Sequence, residues 1–180
     1  MVRIFLFMLV LVSCSLPVVA HKPLDTKQPA TKEQPITVHA HQQSWVAYNR
    51  LTASKDVDYY LLPKVQKGDP IDATILIPAI ERLKEYKPVI VLLGPGLPVE
   101  TASLSPKTID AFLKIAPGEG VVVKTSERDP EIFFEPFTQT KYWRRQSLQL
   151  TAPVSGQYYL AVFALNGKAD KYVLSIGKEE

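Results

Sequence analysis

The sequence predicts an all-β domain, a sandwich or a barrel, and three observations carry that expectation. From about residue 38 onward, short apolar runs recur between Gly, Pro and Asp punctuation, some eight or nine of them. The stretch 155–177, SGQYYLAVFALNGKADKYVLSIG, holds two runs rich in Tyr, Val, Leu, Ile and Phe around a polar turn on Asn166-Gly167. That is the pattern of a β-hairpin closing an antiparallel sheet. The chain has 180 residues, enough for one ordinary domain and too few for two comfortable ones.

Expected strands cover residues 44–52, 57–63, 71–77, 89–93, 120–125, 131–137, 146–150, 157–165 and 171–176. Within 71–77, Ala73, Ile75 and Ile77 alternate with polar or smaller neighbours and share one face. The run Val89-Ile90-Val91-Leu92-Leu93 is apolar on both faces, as a central strand should be. Gly94-Pro95-Gly96 reverses the chain where that strand ends. Two segments break the β pattern. Ser105 and Pro106 are a fair N-cap and first helical residue, followed by Ile109, Phe112, Leu113 and Ile115 at helical spacing. Residues 78–87 read as a helical turn or a long loop.

Residues 1–20 stand apart. Arg3 precedes nine apolar residues, Ile4 to Val12, and then Pro17 and the small-residue exit Val18-Val19-Ala20. A basic start, a short apolar core and such an exit describe a secretory signal peptide. The run is well short of the roughly 18–20 residues that span a bilayer. Leu11-Val12-Ser13-Cys14 offers a second exit, a lipobox that would leave a lipid on Cys14. Cleavage after Ala20 leaves 160 residues without cysteine, so the fold rests on its apolar core and not on disulfides. It leaves 20 basic against 18 acidic residues, a balance that argues against nucleic acid or anionic membrane as partner. Residues 21–37, broken by Pro23, Pro29 and Pro35 and rich in Lys, Gln and Thr, read as a flexible tether to a domain at 38–180.

Several motifs resemble the bacterial pre-peptidase C-terminal domain. They are Asp56-Val57-Asp58-Tyr59-Tyr60, then Lys67-Gly68-Asp69, then Pro88 leading to Leu92-Leu93-Gly94-Pro95-Gly96. Residues 152–162 (APVSGQYYLAV) and 172–176 (YVLSI) match the end of that pattern. The resemblance covers roughly 44–176 with a gap in the middle. It implies a jelly-roll-like antiparallel β-sandwich, here with one or two short helical insertions, and a role in export or substrate holding rather than catalysis. No peptidase domain precedes the matched region in this chain. The central run Phe133-Phe134-Glu135-Pro136-Phe137-Thr138-Gln139-Thr140-Lys141-Tyr142-Trp143 is similar to a core found in stand-alone exported bacterial proteins. Of Asp56 and Asp58, one is expected to cap the turn before a strand and the other to face solvent or pair.

Three groups of residues bear on function. His21 would head the mature chain, and its amine and ring nitrogen, with His39 or His41, are the donor types that bind copper. His39 and His41, two apart, would share one side of a strand. Solvated histidines without a cofactor are the plainer reading. Glu127, Asp129, Glu131 and Glu135 cluster in sequence, as glycoside hydrolysis or calcium would use, or as a charged loop would carry. The chain shows no G-x-S-x-G elbow, and its histidines all precede the main core. Phe137, Gln139, Lys141, Tyr142, Trp143 and Arg144 either form a recognition platform for polysaccharide, peptidoglycan or an envelope protein, or lock the central segment onto the sandwich. The expected function is non-catalytic binding or structural support in the envelope or outside the cell. A metal protein using its N-terminal histidine is the alternative, and a carboxylate hydrolase the weaker one.

Overall fold

The computed structural model describes residues 21–126, 130–135, 138–165 and 167–178. In chain order its strands are β1 (Lys22–Pro23), β2 (Ile36–Thr37), β3 (Trp45–Arg50), β4 (Val57–Val65), β5 (Pro70–Pro78), β6 (Pro88–Pro95), β7 (Val99–Glu100), β8 (Glu119–Lys124), β9 (Glu131–Glu135), β10 (Thr140–Thr151), β11 (Gly156–Ala164) and β12 (Lys171–Ile176). A single α-helix among the described residues, α1 (Pro106–Phe112), lies between β7 and β8.

The strands form two six-stranded sheets. The first runs β1-β3-β12-β5-β10-β9 and the second β2-β4-β11-β6-β8-β7. Taking the eight longer core strands in chain order, every step except β6 to β8 changes sheet. The quartet β3-β12-β5-β10 therefore faces β4-β11-β6-β8, the interleaved double Greek key of a jelly roll. The expected fold class is thus observed. The sheets are not wholly antiparallel, because the two-residue strands β1, β2 and β7 pair in parallel with β3, β4 and β8.

The expected hairpin over 155–177 is not formed. β11 pairs with β4 and β6, whereas β12 pairs with β3 and β5 in the other sheet. The polar stretch between them is a crossing from sheet to sheet. Burial fits the separation: β11 is buried on both faces over most of its length and needs a covered sheet, while β12 carries Lys171 and Ser175 on one side and suits a sheet with an open face.

Residues 21–37 also differ from the expected tether. The Lys22 amide donates to the Ser44 carbonyl and that of Leu24 to Val46, at 2.9 and 2.8 Å. Ile36 and Thr37 extend the second sheet beside β4, and Ala30, Ile36 and Val38 are buried. A polar composition hides these few apolar anchors. The prolines, which lack a donor, fall where an edge tolerates them.

Between the sheets lies one main core that includes Ala47, Tyr60, Leu62, Ile75, Ile77, Ile90, Leu92, Leu148, Leu160, Val162 and Leu174. Ala73, Ile75 and Ile77 share its face, as their alternation requires. A second cluster covers the outer face of the second sheet. There Ile109 and Leu113 meet Val89, Val91, Val121 and Val123, and Phe112 stacks on Phe163 with ring centroids 4.4 Å apart. This cover explains why β6, β8 and β11 are apolar on both faces. Ser105 caps α1 through its side chain, which accepts from the Thr108 amide at 3.2 Å, and Pro106 opens the first turn. Ser105→Ala is expected to cost about 1 kcal/mol, read as a lowered thermal midpoint. The 78–87 stretch holds a short 3₁₀ turn, Glu81–Leu83, with Leu83 and Tyr86 buried beneath it.

Candidate functional site

The outer face of the first sheet carries no covering helix among the described residues, and its side chains form rows that cross the strands. One row is Tyr48, Val173, Leu76, Arg144 and Glu131, on β3, β12, β5, β10 and β9. The next is Val46, Ser175, Thr74 and Ser147. Asp72 and Gln149 pair beyond it, and Pro78, Tyr142 and Phe133 lie on the opposite side of the first row. All of these except Glu131, Asp72 and Pro78 line an open hollow of about 280 Å³, together with His21, Glu135 and Gly177.

A β-bulge makes this arrangement possible. Between Arg144 and Ser147, β10 advances three residues while β5 advances two, from Leu76 to Thr74. The extra residue keeps Arg144 and Ser147 both outward and turns Gln146 and Leu148 inward. The Gln146 amide donates to the Pro88 carbonyl at 2.5 Å and is thereby satisfied on the donor side.

The hollow is chemically mixed. Val46, Leu76, Tyr142 and Val173 make a small buried cluster, with Phe133 packed against it. The Arg144 guanidinium lies 4.8 Å from the Phe133 ring centroid and 3.8 Å from the Glu131 carboxylate. Thr74 and Ser147 share a hydroxyl hydrogen bond at 2.8 Å. The Glu135 carboxylate accepts from the Thr138 amide at 2.5 Å, and Lys178 reaches Asp72 at 3.9 Å. Tyr48 is 42% exposed. Partial burial, with the neighbouring Tyr142 and Glu135 adding to it, raises its phenol above the usual range, so the hydroxyl stays protonated at neutral pH.

The aromatic run singled out in the sequence is divided by this geometry. Tyr142 and Arg144 reach the hollow, with Phe133 from the facing strand. Trp143 turns inward against the main core, and the Arg145 guanidinium lies over its ring at 5.4 Å. Lys141 is exposed outside the hollow, and Gln139 sits at positive φ (52°) in the turn between β9 and β10. Phe137 lies outside the described residues, as do Glu127 and Asp129. Glu131 and Glu135 do share one face of β9, as extended chain requires. Tyr48, Thr74, Ser147, Gln149 and Ser175 were missed in the sequence. Their signal was the polar alternation of β3, β5, β10 and β12.

The histidines are not gathered. His21 lines the hollow, where its Nδ1 hydrogen-bonds the buried Ser44 hydroxyl. His39 and His41 border a different depression with Pro63, Lys64 and Asp69. They were expected on one side of a strand, but residues 39–41 form a bend and turn with Ala40 at φ 53°, so His39 is exposed and His41 buried. Burial lowers the His41 pKa against the opposing pull of Asp69, whose carboxylate is 3.7 Å away. Among the described residues no three His, Cys, Asp or Glu side chains are grouped to hold a metal ion.

A separate polar network joins the two sheets inside the core. Asp58 on β4 accepts from the Tyr172 hydroxyl at 2.5 Å and from the Asn49 amide at 3.1 Å, and the Tyr60 and Tyr172 hydroxyls are 2.7 Å apart. Burial pushes Asp58 up to about 7, against the lowering effect of the Tyr172 hydrogen bond. Asp56, by contrast, caps the preceding turn by accepting from the Thr52 amide at 2.7 Å. The pair of acids thus divides between capping and pairing.

No family model matches the chain, and no curated protein matches it. Among solved structures, it is similar to the periplasmic g-type lysozyme inhibitor PliG of Aeromonas hydrophila, at 13% identity and a TM-score of 0.42, over 88% of this chain and 98% of that one. It is also similar to CorA, a surface-associated copper-binding protein of Methylomicrobium album BG8, at 10% identity and a TM-score of 0.36, over 89% of this chain and 98% of the other. Both likenesses are loose.

Proposed function

We propose that this chain is an exported, non-catalytic binding protein of the bacterial envelope or extracellular space, whose partner docks on the outer face of the first sheet. One observation carries the reading: α1 seals one outer face of the sandwich, and the other is left as a hollow of mixed polar and apolar side chains. Arg144 and Glu135 in the hollow have partners within the protein, and Ser44, beside His21, is buried, which suits docking better than bond making. The export pattern of residues 1–20 supplies the address, and no helix among the described residues is long and apolar enough to cross a membrane. A sandwich that resembles the pre-peptidase C-terminal domain suits such a role.

Cosedimentation with purified sacculi and with envelope protein fractions tests this reading. Tyr48→Ala combined with Arg144→Ala is expected to reduce retention at least tenfold, while Lys107→Glu on α1 leaves it unchanged. Equal retention of wild type and the double variant would move the binding surface elsewhere. Mass spectrometry of the mature chain is expected to show cleavage after Ala20, and a lipidated Cys14 would replace that account of its address.

A further inference from the structure

Resting on the reading of the outer face as the binding surface, we propose that its ligand is a neutral glycan built of pyranose units. Charge is the first ground. Arg144 is answered by Glu131 and the Phe133 ring, and the Glu135 carboxylate accepts from the Thr138 amide, so the charged side chains of the floor are already engaged within the protein. The second ground is the order of the rows. Tyr48 supplies an exposed aromatic ring at the end of a row whose Val173 and Leu76 are already buried, and the neighbouring strip carries the hydroxyls of Ser175, Thr74 and Ser147, with the Gln149 amide beyond. Alternate residues along a strand are about 6.8 Å apart. The Tyr48 ring and a hydroxyl strip therefore lie side by side at the scale of one sugar ring. A pyranose packs its C–H face on aromatic or aliphatic carbon and turns its hydroxyl rim outward. Ser, Thr and Tyr hydroxyls both donate and accept, as sugar hydroxyls do.

A protein partner fits less well. Protein interfaces centre on a desolvated apolar core, but Leu76 and Val173 are already 8% and 4% exposed and offer little more to bury. Tyr48 is the sole large, substantially exposed hydrophobic among the described residues of the hollow.

Isothermal titration calorimetry of the mature protein with cello-, xylo-, manno- and chito-hexasaccharides tests the assignment, alongside polygalacturonate and an envelope protein fraction. At least one neutral hexasaccharide is expected to bind. Tyr48→Ala should weaken that binding at least tenfold and Gln149→Ala severalfold. Phe134→Ser, exposed on the other side of β9, should leave it unchanged. Thermal melts of each variant confirm that the fold is retained. Absence of neutral-glycan binding by the folded wild type overturns the glycan assignment. If polygalacturonate or an envelope protein then binds in a Tyr48-dependent way, the outer-face reading stands without it. A neutral glycan whose affinity ignores Tyr48→Ala and Gln149→Ala overturns both.

Discussion

Asp58→Asn is expected to remove most of the pH dependence of stability between about pH 4 and pH 7. In the folded chain the Asp58 carboxyl titrates at about 7, and in the unfolded chain near its ordinary 3.8. Between those values the folded state holds the proton and the unfolded state has lost it, so stability falls as pH rises. The stabilising contribution is complete below the unfolded value and is lost as pH climbs through the folded one. A difference of this size corresponds to about 4 kcal/mol across the interval. Its surroundings make the direction firm: the groups around the carboxyl are Asn49, Tyr60 and Tyr172, with Asp56 adding a further small upward push. Tyr86, farther off, is itself bonded to the Asp170 carbonyl. None of these supplies a cation.

Asparagine keeps the acceptor that Tyr172 and Asn49 use and cannot ionise. Denaturant titrations from pH 4 to pH 8 should show wild type and variant alike at the acid end, with the variant more stable at pH 8. Parallel curves, or a variant weaker at pH 8, would mean that the native carboxylate is favourably ionised where it stands. Such a network also ties β4 to β3 and β12 across the core, so its satisfaction bears on how the two sheets register.

Much of this architecture was legible because burial writes itself into strand composition. β6 read as apolar on both faces and proved central in the sheet that α1 covers. The helix was marked by its cap and its proline. Pairing was not legible, since composition says how a strand is buried and not beside which neighbour. The 155–177 pair shows this: its two strands belong to opposite sheets. The site was hidden for a related reason. It is assembled from single residues on β3, β5, β10 and β12, whereas the sequence gathers its most conspicuous aromatics in one dense run. Strict alternation along β10 would have set Tyr142, Arg144, Gln146 and Leu148 on one face, and the bulge divides them. One unpaired residue thus decides which side chains meet solvent.

Gly120→Ala should be among the most damaging single substitutions in the chain. A β-carbon at residue 120 would stand 1.9 Å from the Leu97 carbonyl oxygen and 2.5 Å from its carbon. The obstacle is backbone, not the end of a flexible side chain, so no rotamer change relieves it. Leu97 is itself held: it is buried, and the next residue's carbonyl accepts from the Val121 amide at 2.9 Å, leading into the parallel pairing of β7 with β8. Relief requires β8 to move away from this crossing, which would loosen its pairing with β6 at Gly94–Gly120 and Leu93–Val121. Overpacking of this kind costs about 3 kcal/mol or more, equivalent to a fall of roughly 6–12 °C in thermal midpoint for a domain of this size. Gly68→Ala provides the contrast. Gly68 lies at φ +91° with nothing within 4 Å of an added β-carbon, so only backbone conformation resists the change. That substitution should cost about 1–2 kcal/mol. Equal losses at the two sites, measured by thermal melts, would show that 97–100 yields freely and that the close approach at Gly120 does not hold the sheet edge in place.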